Sequence, residues 1–184
     1  VVNSLEFEAG RAFGTGAHPS TIGALSALGG LAGSITPQII LDIGCGSGVL
    51  SLAAAHYWPD AQIMATDTMQ EAVATTRHNA EKQGWGGRIH AVRADGVRHE
   101  DISRAGPYDL IICNIVAAPV IMLADDIAAH LAEGGAAILS GILVWRQWQV
   151  EEAYALHGLT PVDVLEVGEW RTLIMAKLSK PCAP

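Results

Sequence analysis

The sequence predicts an α/β fold, a mostly parallel, doubly wound sheet with an antiparallel hairpin at its C-terminal end. Three observations predict it. Apolar strand-length runs alternate with helix-length segments along most of the 184 residues. A glycine-rich turn, Gly44-Cys-Gly-Ser-Gly48, follows the first strand-like run directly. The last two strand-like runs leave no room for a helix between them, so they should pair antiparallel.

The elements follow in order. A helix is expected over residues 18–31, ending in the glycine-rich stretch 29–33. Residues 38–43, Gln-Ile-Ile-Leu-Asp-Ile, read as a buried strand, and a helix runs from the glycine turn to about Trp58. Pro59-Asp60 breaks the pattern before a second strand over 62–66 that ends at Asp67. A helix spans 70–83 and stops at Gly84, Gly86 and Gly87. Residues 88–93 alternate apolar and polar, as a strand near the sheet edge does. Residues 108–114 form a strongly apolar fourth strand, followed by one helix over 119–131. A fifth strand covers 136–140 and a helix 145–156. The hairpin pairs 162–167 with 171–178 through Gly168-Glu-Trp170. No repeat or internal linker interrupts this order, and residues 1–184 read as a single domain.

Half of the residues are hydrophobic and 16% are charged, which is enough apolar material for a packed core. The net charge of −8 argues against nucleic-acid phosphates as a partner. It suits a small-molecule site or a basic protein. The longest apolar run, residues 115–124, falls short of the roughly 18 residues of a membrane span and contains Pro119. The opening segment carries acids where a signal peptide carries bases, and it lacks a Met, so a preceding segment is expected. Cys45, Cys113 and Cys182 have no metal-ligand spacing and read as reduced thiols of a cytoplasmic protein. The histidines are scattered, and no metal site is expected.

In such sheets ligands sit at the carboxyl ends of the strands, near the point where strand order reverses. The first loop there, from Asp42 through Gly44, Gly46 and Gly48, has G-x-G-x-G spacing rather than the G-x-G-x-x-G that holds a pyrophosphate. Asp67, about twenty residues on, can accept two hydroxyl hydrogen bonds from a ribose. Asp95 either meets an adenine amino group or is an exposed Asp-Gly turn. Asn114 ends the fourth strand. Its amide oxygen either orients an attacking amine or caps the next turn. Together Asp42, the glycines, Asp67 and Asp95 resemble the S-adenosylmethionine site of the Rossmann-like class I methyltransferases.

A further segment, Ala12-Phe13-Gly14-Thr15-Gly16-Ala17-His18-Pro19-Ser20-Thr21, resembles the A-F-G-T-G-x-H-x-T-T signature of the ribosomal-protein methyltransferases known as PrmA. Asn114-Ile-Val-Ala-Ala-Pro119 is similar to that family's N-I-L-A-G-P, Leu139-Ser-Gly-Ile142 to its L-S-G-I, and Gly168-Glu-Trp170 to its G-E-W. The resemblance covers nearly the whole chain. It implies a protein N-methyltransferase that uses S-adenosylmethionine, yields S-adenosylhomocysteine, and acts on lysine or N-terminal amines of a large-subunit ribosomal protein. It implies that Thr21, Gly44, Asp67 and Asn114 contact the donor, that Phe13, Gly14, Thr15, Gly16 and His18 fold over it, and that Asn114 faces the acceptor. It assigns no base. His18 reads as a base or as a structural His-Pro corner, and Trp145, Trp148 and Trp170 as acceptor-side residues or packing. One departure stands out. Thr68-Met69-Gln70 follows Asp67 where the family has D-x-D-P. The resemblance also implies an N-terminal recognition domain, so these residues are expected to be either the catalytic part of a longer chain or a free-standing catalytic domain with another target. The alternatives are another protein or a small-molecule amine as acceptor, a nucleotide-binding module without catalysis, and an NAD-linked oxidoreductase.

Overall fold

A computed structural model describes residues 17–178. They form one seven-stranded sheet with helices on both faces. The first helix, α1 (Pro19–Leu31), starts where Pro19 can occupy the first turn without losing a bond. The order continues as β1 (Ile39–Ile43), α2 (Val49–Tyr57), β2 (Gln62–Asp67), α3 (Gln70–Lys82), β3 (Ile89–Arg93) and α4 (Glu100–Ala105). It ends with β4 (Tyr108–Asn114), α5 (Ala117–Met122), α6 (Ala124–His130), β5 (Leu131–Leu143), a 3-10 turn (Val144–Arg146), α7 (Gln147–Ala155), β6 (Leu159–Val167) and β7 (Trp170–Lys177).

Across the sheet the strands run β3-β2-β1-β4-β5-β7-β6. The first five are parallel, and β7 lies antiparallel to both β5 and β6. The hairpin therefore contributes two strands, and its second strand is the one inserted next to β5. Strand order reverses between β1 and β4, which opens a crevice at their carboxyl ends.

Side-chain alternation divides the core in two. Leu41, Ile111, Cys113, Leu139 and Leu173 face α4 to α7. Ile40, Leu110, Ile112, Ile138 and Ile174 face α1 and α2. Apart from the buried Asp42 and Ser140, the β1, β4 and β5 interiors are apolar on both faces, as expected of parallel strands covered on each side.

The sequence reading departs from the structure in several places, among them β6, which begins at Leu159 rather than at residue 162, and the helix expected from 145, which opens with a 3-10 turn. The short helix α4 was not expected, because Ile102 is its one buried residue and leaves no periodic signal. It stands on its ends instead. His99 caps it, Glu100 and Asp101 fill the first turn, and Arg104 the last. The single helix expected over 119–131 is two, because the chain leaves helical geometry at Leu123. The fifth strand is longer than 136–140. Leu131 already pairs with Tyr108, and Gly134-Gly135 form an irregularity inside the strand rather than a turn before it.

Candidate donor-binding cleft

A cleft of about 710 Å³ opens at the carboxyl ends of the parallel strands. Of the residues singled out from sequence, His18, Thr21, Gly44, Gly46, Asp67, Asp95 and Asn114 line it together. Phe13, Gly14, Thr15 and Gly16 lie outside the described residues. Asp42 and Gly48 stand beneath the loop and are not on the cleft wall.

The glycine loop is held from both sides. The N–H groups of Gly44 and Cys45 donate to the Thr66 carbonyl at 2.8 and 2.9 Å. Below, the Thr76 hydroxyl donates to the Gly46 carbonyl and the Asn79 amide to that of Ser47. Gly44 sits at φ +74°, and a Cβ there would lie 2.5 Å from Ile115 Cγ2. Only glycine lets the backbone pass this close to β4 and form the cleft floor. Gly48, also at positive φ, starts α2.

Asp67 ends β2 half-buried. Its Oδ2 accepts the Gly46 N–H at 3.0 Å and its Oδ1 the Met69 N–H at 2.9 Å. Each oxygen keeps one acceptor position free for a hydroxyl from the cleft. Those two bonds also fix the carboxylate without the second acid expected after β2. Asp95 is exposed at the rim, 3.7 Å from the Arg98 guanidinium.

Asp42 is 1% exposed, and its Oδ2 accepts the Ser51 hydroxyl at 2.6 Å. Its Oδ1 has no partner among the described residues. Burial pushes its carboxyl up to about 6, against the lowering effect of Ser51, and the nearby Asp67 charge adds to the rise. Burial likewise raises the Cys45 and Cys113 thiols, which disqualifies both as nucleophiles.

Asn114 is clamped on one side only. Its Nδ2 donates to Thr21 Oγ1 at 3.2 Å. Its Oδ1 is buried and has no partner among the described residues. His18 caps α1. Its Nδ1 accepts the Ser20 N–H at 3.3 Å and lies 2.8 Å from Ser20 Oγ. The Nδ1 that caps the helix is thereby engaged within the first turn of α1. This geometry suits the structural corner rather than a base. Trp170 meets the His18 ring edge to face, with centroids 4.7 Å apart, and closes that wall of the cleft. Trp145 and Trp148 are exposed, 59% and 61%, and do not line it.

A second hollow, of about 540 Å³, follows the outer edge of β3. It holds none of the residues singled out above, and its Arg77 guanidinium is bonded to the Ala91 carbonyl. Among the described residues no group of three or more His, Cys, Asp or Glu is placed to hold a metal ion. No described helix is long and apolar enough to cross a membrane.

The family model described as "Ribosomal protein L11 methyltransferase (PrmA)" matches residues 3–178. A curated protein of the same description from Bradyrhizobium diazoefficiens is 38% identical over 174 residues, which are 95% of this chain and 59% of that protein. One from Rhizobium rhizogenes is 41% identical over 170 residues, 92% of this chain and 58% of its own length. The chain thus spans somewhat under three-fifths of these relatives. A crystal structure of a ribosomal protein L11 methylase from Lactobacillus delbrueckii subsp. bulgaricus superposes with a TM-score of 0.83 at 27% identity. It covers 95% of this chain and 85% of that one.

Proposed function

The chain belongs to the ribosomal protein L11 methyltransferase family, and from that premise we propose that it methylates lysine or N-terminal amines of a large-subunit ribosomal protein with S-adenosylmethionine as donor. In this reading residues 1–184 are one methyltransferase domain that works in the cytoplasm, and its substrate is a basic protein rather than a nucleic acid.

The cleft fits the donor. The glycine floor admits a flat ligand against the backbone, Asp67 offers two acceptor positions for the ribose hydroxyls, and Asp95 stands at the adenine end. When bound, S-adenosylmethionine supplies a methyl group on a sulfonium, ready for in-line displacement. The Thr21 oxygen accepts from Asn114 and keeps its own proton for a donor-side acceptor.

One observation carries the reading. Asn114 lines the cleft, its amide nitrogen is tied to Thr21, and its amide oxygen has no partner among the described residues. Such an oxygen accepts a hydrogen bond from an amine N–H and aims the nitrogen lone pair at the methyl carbon. The incoming amine loses its third proton before attack, because only the neutral form has a lone pair. No side chain is assigned as base, and water at the cleft mouth takes the displaced proton.

The test is label transfer. The chain is mixed with isotopically labelled S-adenosylmethionine and unmethylated large-subunit ribosomal protein eleven, and the protein mass is read. Added methyl masses on amines are expected. Donor binding by calorimetry with no added mass would move the acceptor to another amine, and failure to bind the donor would end the methyltransferase reading.

A further inference from the structure

Behind the cleft wall a polar row crosses the sheet on the α1 face. Register pairs Asn114 of β4 with Ser140 of β5, so both side chains point to α1. Thr172 of β7 points the same way, and its Oγ1 lies 2.7 Å from Ser140 Oγ. The Ser140 hydroxyl donates to the Ser20 carbonyl at 2.8 Å. A hydroxyl has one proton, so in the contact with Thr172 it is Thr172 that donates. The bonds therefore run one way, from Thr172 to Ser140 to the Ser20 carbonyl. Ser140 is 0% exposed, Thr172 1% and Ser20 6%.

The next residue in α1 is Thr21, which holds the Asn114 amide. A helical carbonyl already accepts an N–H one turn on, so the helix itself does not require the bond from Ser140. What that bond fixes is the height of the first turn of α1 above the sheet. Spacing fixes it a second way. A Cβ on Gly23 would fall 2.4 Å from Thr172 Oγ1, so α1 lies closer to β7 than any side chain would permit.

We propose that Ser140 and Thr172 are positioning residues for methyl transfer. Through the Ser20 carbonyl they hold Thr21 against Asn114, and so fix the orientation of the Asn114 amide at the cleft. The catalytic part of this proposal rests on the role given to Asn114 above.

The experiment has two readouts on the same proteins. The side-chain amide of Asn114 is followed by 15N NMR in the full chain, assigned through Asn114→Ala, and its solvent exchange is timed. Exchange should quicken by about tenfold or more in Ser140→Ala, because the bond to Thr21 opens more often. Gly23→Ala keeps every hydroxyl but lifts the helix, and it should quicken exchange too. Thr172→Val should do so more weakly, and Thr172→Ser, which restores the donor, should exchange like the parent. Exchange in a folded Ser140→Ala and Gly23→Ala that matches the parent overturns the proposal. The second readout is the split between turnover and donor affinity. Ser140→Ala should lower kcat by about tenfold or more while donor affinity falls less. An equal fall in both overturns the positioning role. If the parent itself transfers no methyl group, the proposed function fails, and amide exchange still decides whether Ser140 holds the pair.

Discussion

At the scale of single residues, three carboxylates and amides near the loop differ in what surrounds them. Asp67 has two backbone N–H donors and room for two more, so Asp67→Ala should weaken S-adenosylmethionine binding by about 1.5–3 kcal/mol, read by calorimetry. Asn114→Ala should instead lower turnover more than donor affinity in steady-state kinetics. Asp42 is the opposite case, a buried acid with one good bond. Its rise from 3.8 to about 6 means that the fold prefers the protonated form. Between about pH 4 and pH 6 the folded state thus holds more proton than the unfolded chain, and stability falls as pH rises, by up to about 3 kcal/mol in all. Asp42→Asn should remove that fall, which denaturant midpoints at the two ends of this range would show. Asp67 and Asn114 were legible in the sequence because each is a polar residue closing an apolar run. Ser140 was not. A hydroxyl in an apolar strand looks ordinary, and its partner is a backbone carbonyl 120 residues away, which leaves no trace in composition or spacing. The sequence also left His18 open between two roles, and its capping contacts to Ser20 depend on ring orientation, which spacing does not encode.

At the scale of elements, the long strands and helices were readable because packing on both faces demands long apolar runs. The pieces that were misread are those held by their ends. α4 is secured by its cap and charges, and the break at Leu123 falls at no glycine or proline, in a stretch where α5 and α6 both pack on α7. Another end-held element is α2. The Arg88 guanidinium, just before β3, donates to the carbonyls of Ala55 and Trp58 at its C-terminus and to that of Ala61 in the turn that follows. Arg88→Ala should therefore cost about 2 kcal/mol of stability, as loss of hydrogen bonds to a charged group does. Donor affinity should not change, since these bonds lie at the opposite end of the sheet from the cleft. Chemical denaturation and calorimetry on the same variant would check both halves of this expectation.

At the scale of the whole molecule, charge becomes the relevant quantity. A net charge of −8 on a chain of this size draws a basic protein toward it and repels polyanions. If the acceptor is a basic ribosomal protein, raising ionic strength from about 0.05 to about 0.3 M should lower kcat/KM for it severalfold. Affinity for S-adenosylmethionine should respond far less, because the donor is small and reads the cleft rather than the field. Methylation rates and calorimetric titrations along a salt series would separate the two. This global property was fully visible in the sequence, as was the alternation that sets the sheet. The order in which the last two strands insert was not, because pairing β7 rather than β6 with β5 is decided by how the hairpin folds back.

The helix α1 has a further consequence, in time rather than in space. It is the first described element to be synthesised, yet it rests on β5 and β7, among the last. During synthesis β1 to β4 can associate as they emerge, and with them the glycine loop and Asp67. The opposite wall has to wait. Until the codons for Thr172 and its neighbours have been read, α1 rests on α2 and β5 without β7, and the Ser140 hydroxyl lacks its donor from Thr172. The two walls of the cleft therefore mature in sequence order, and the last described strand to be made is the one that completes the support of α1.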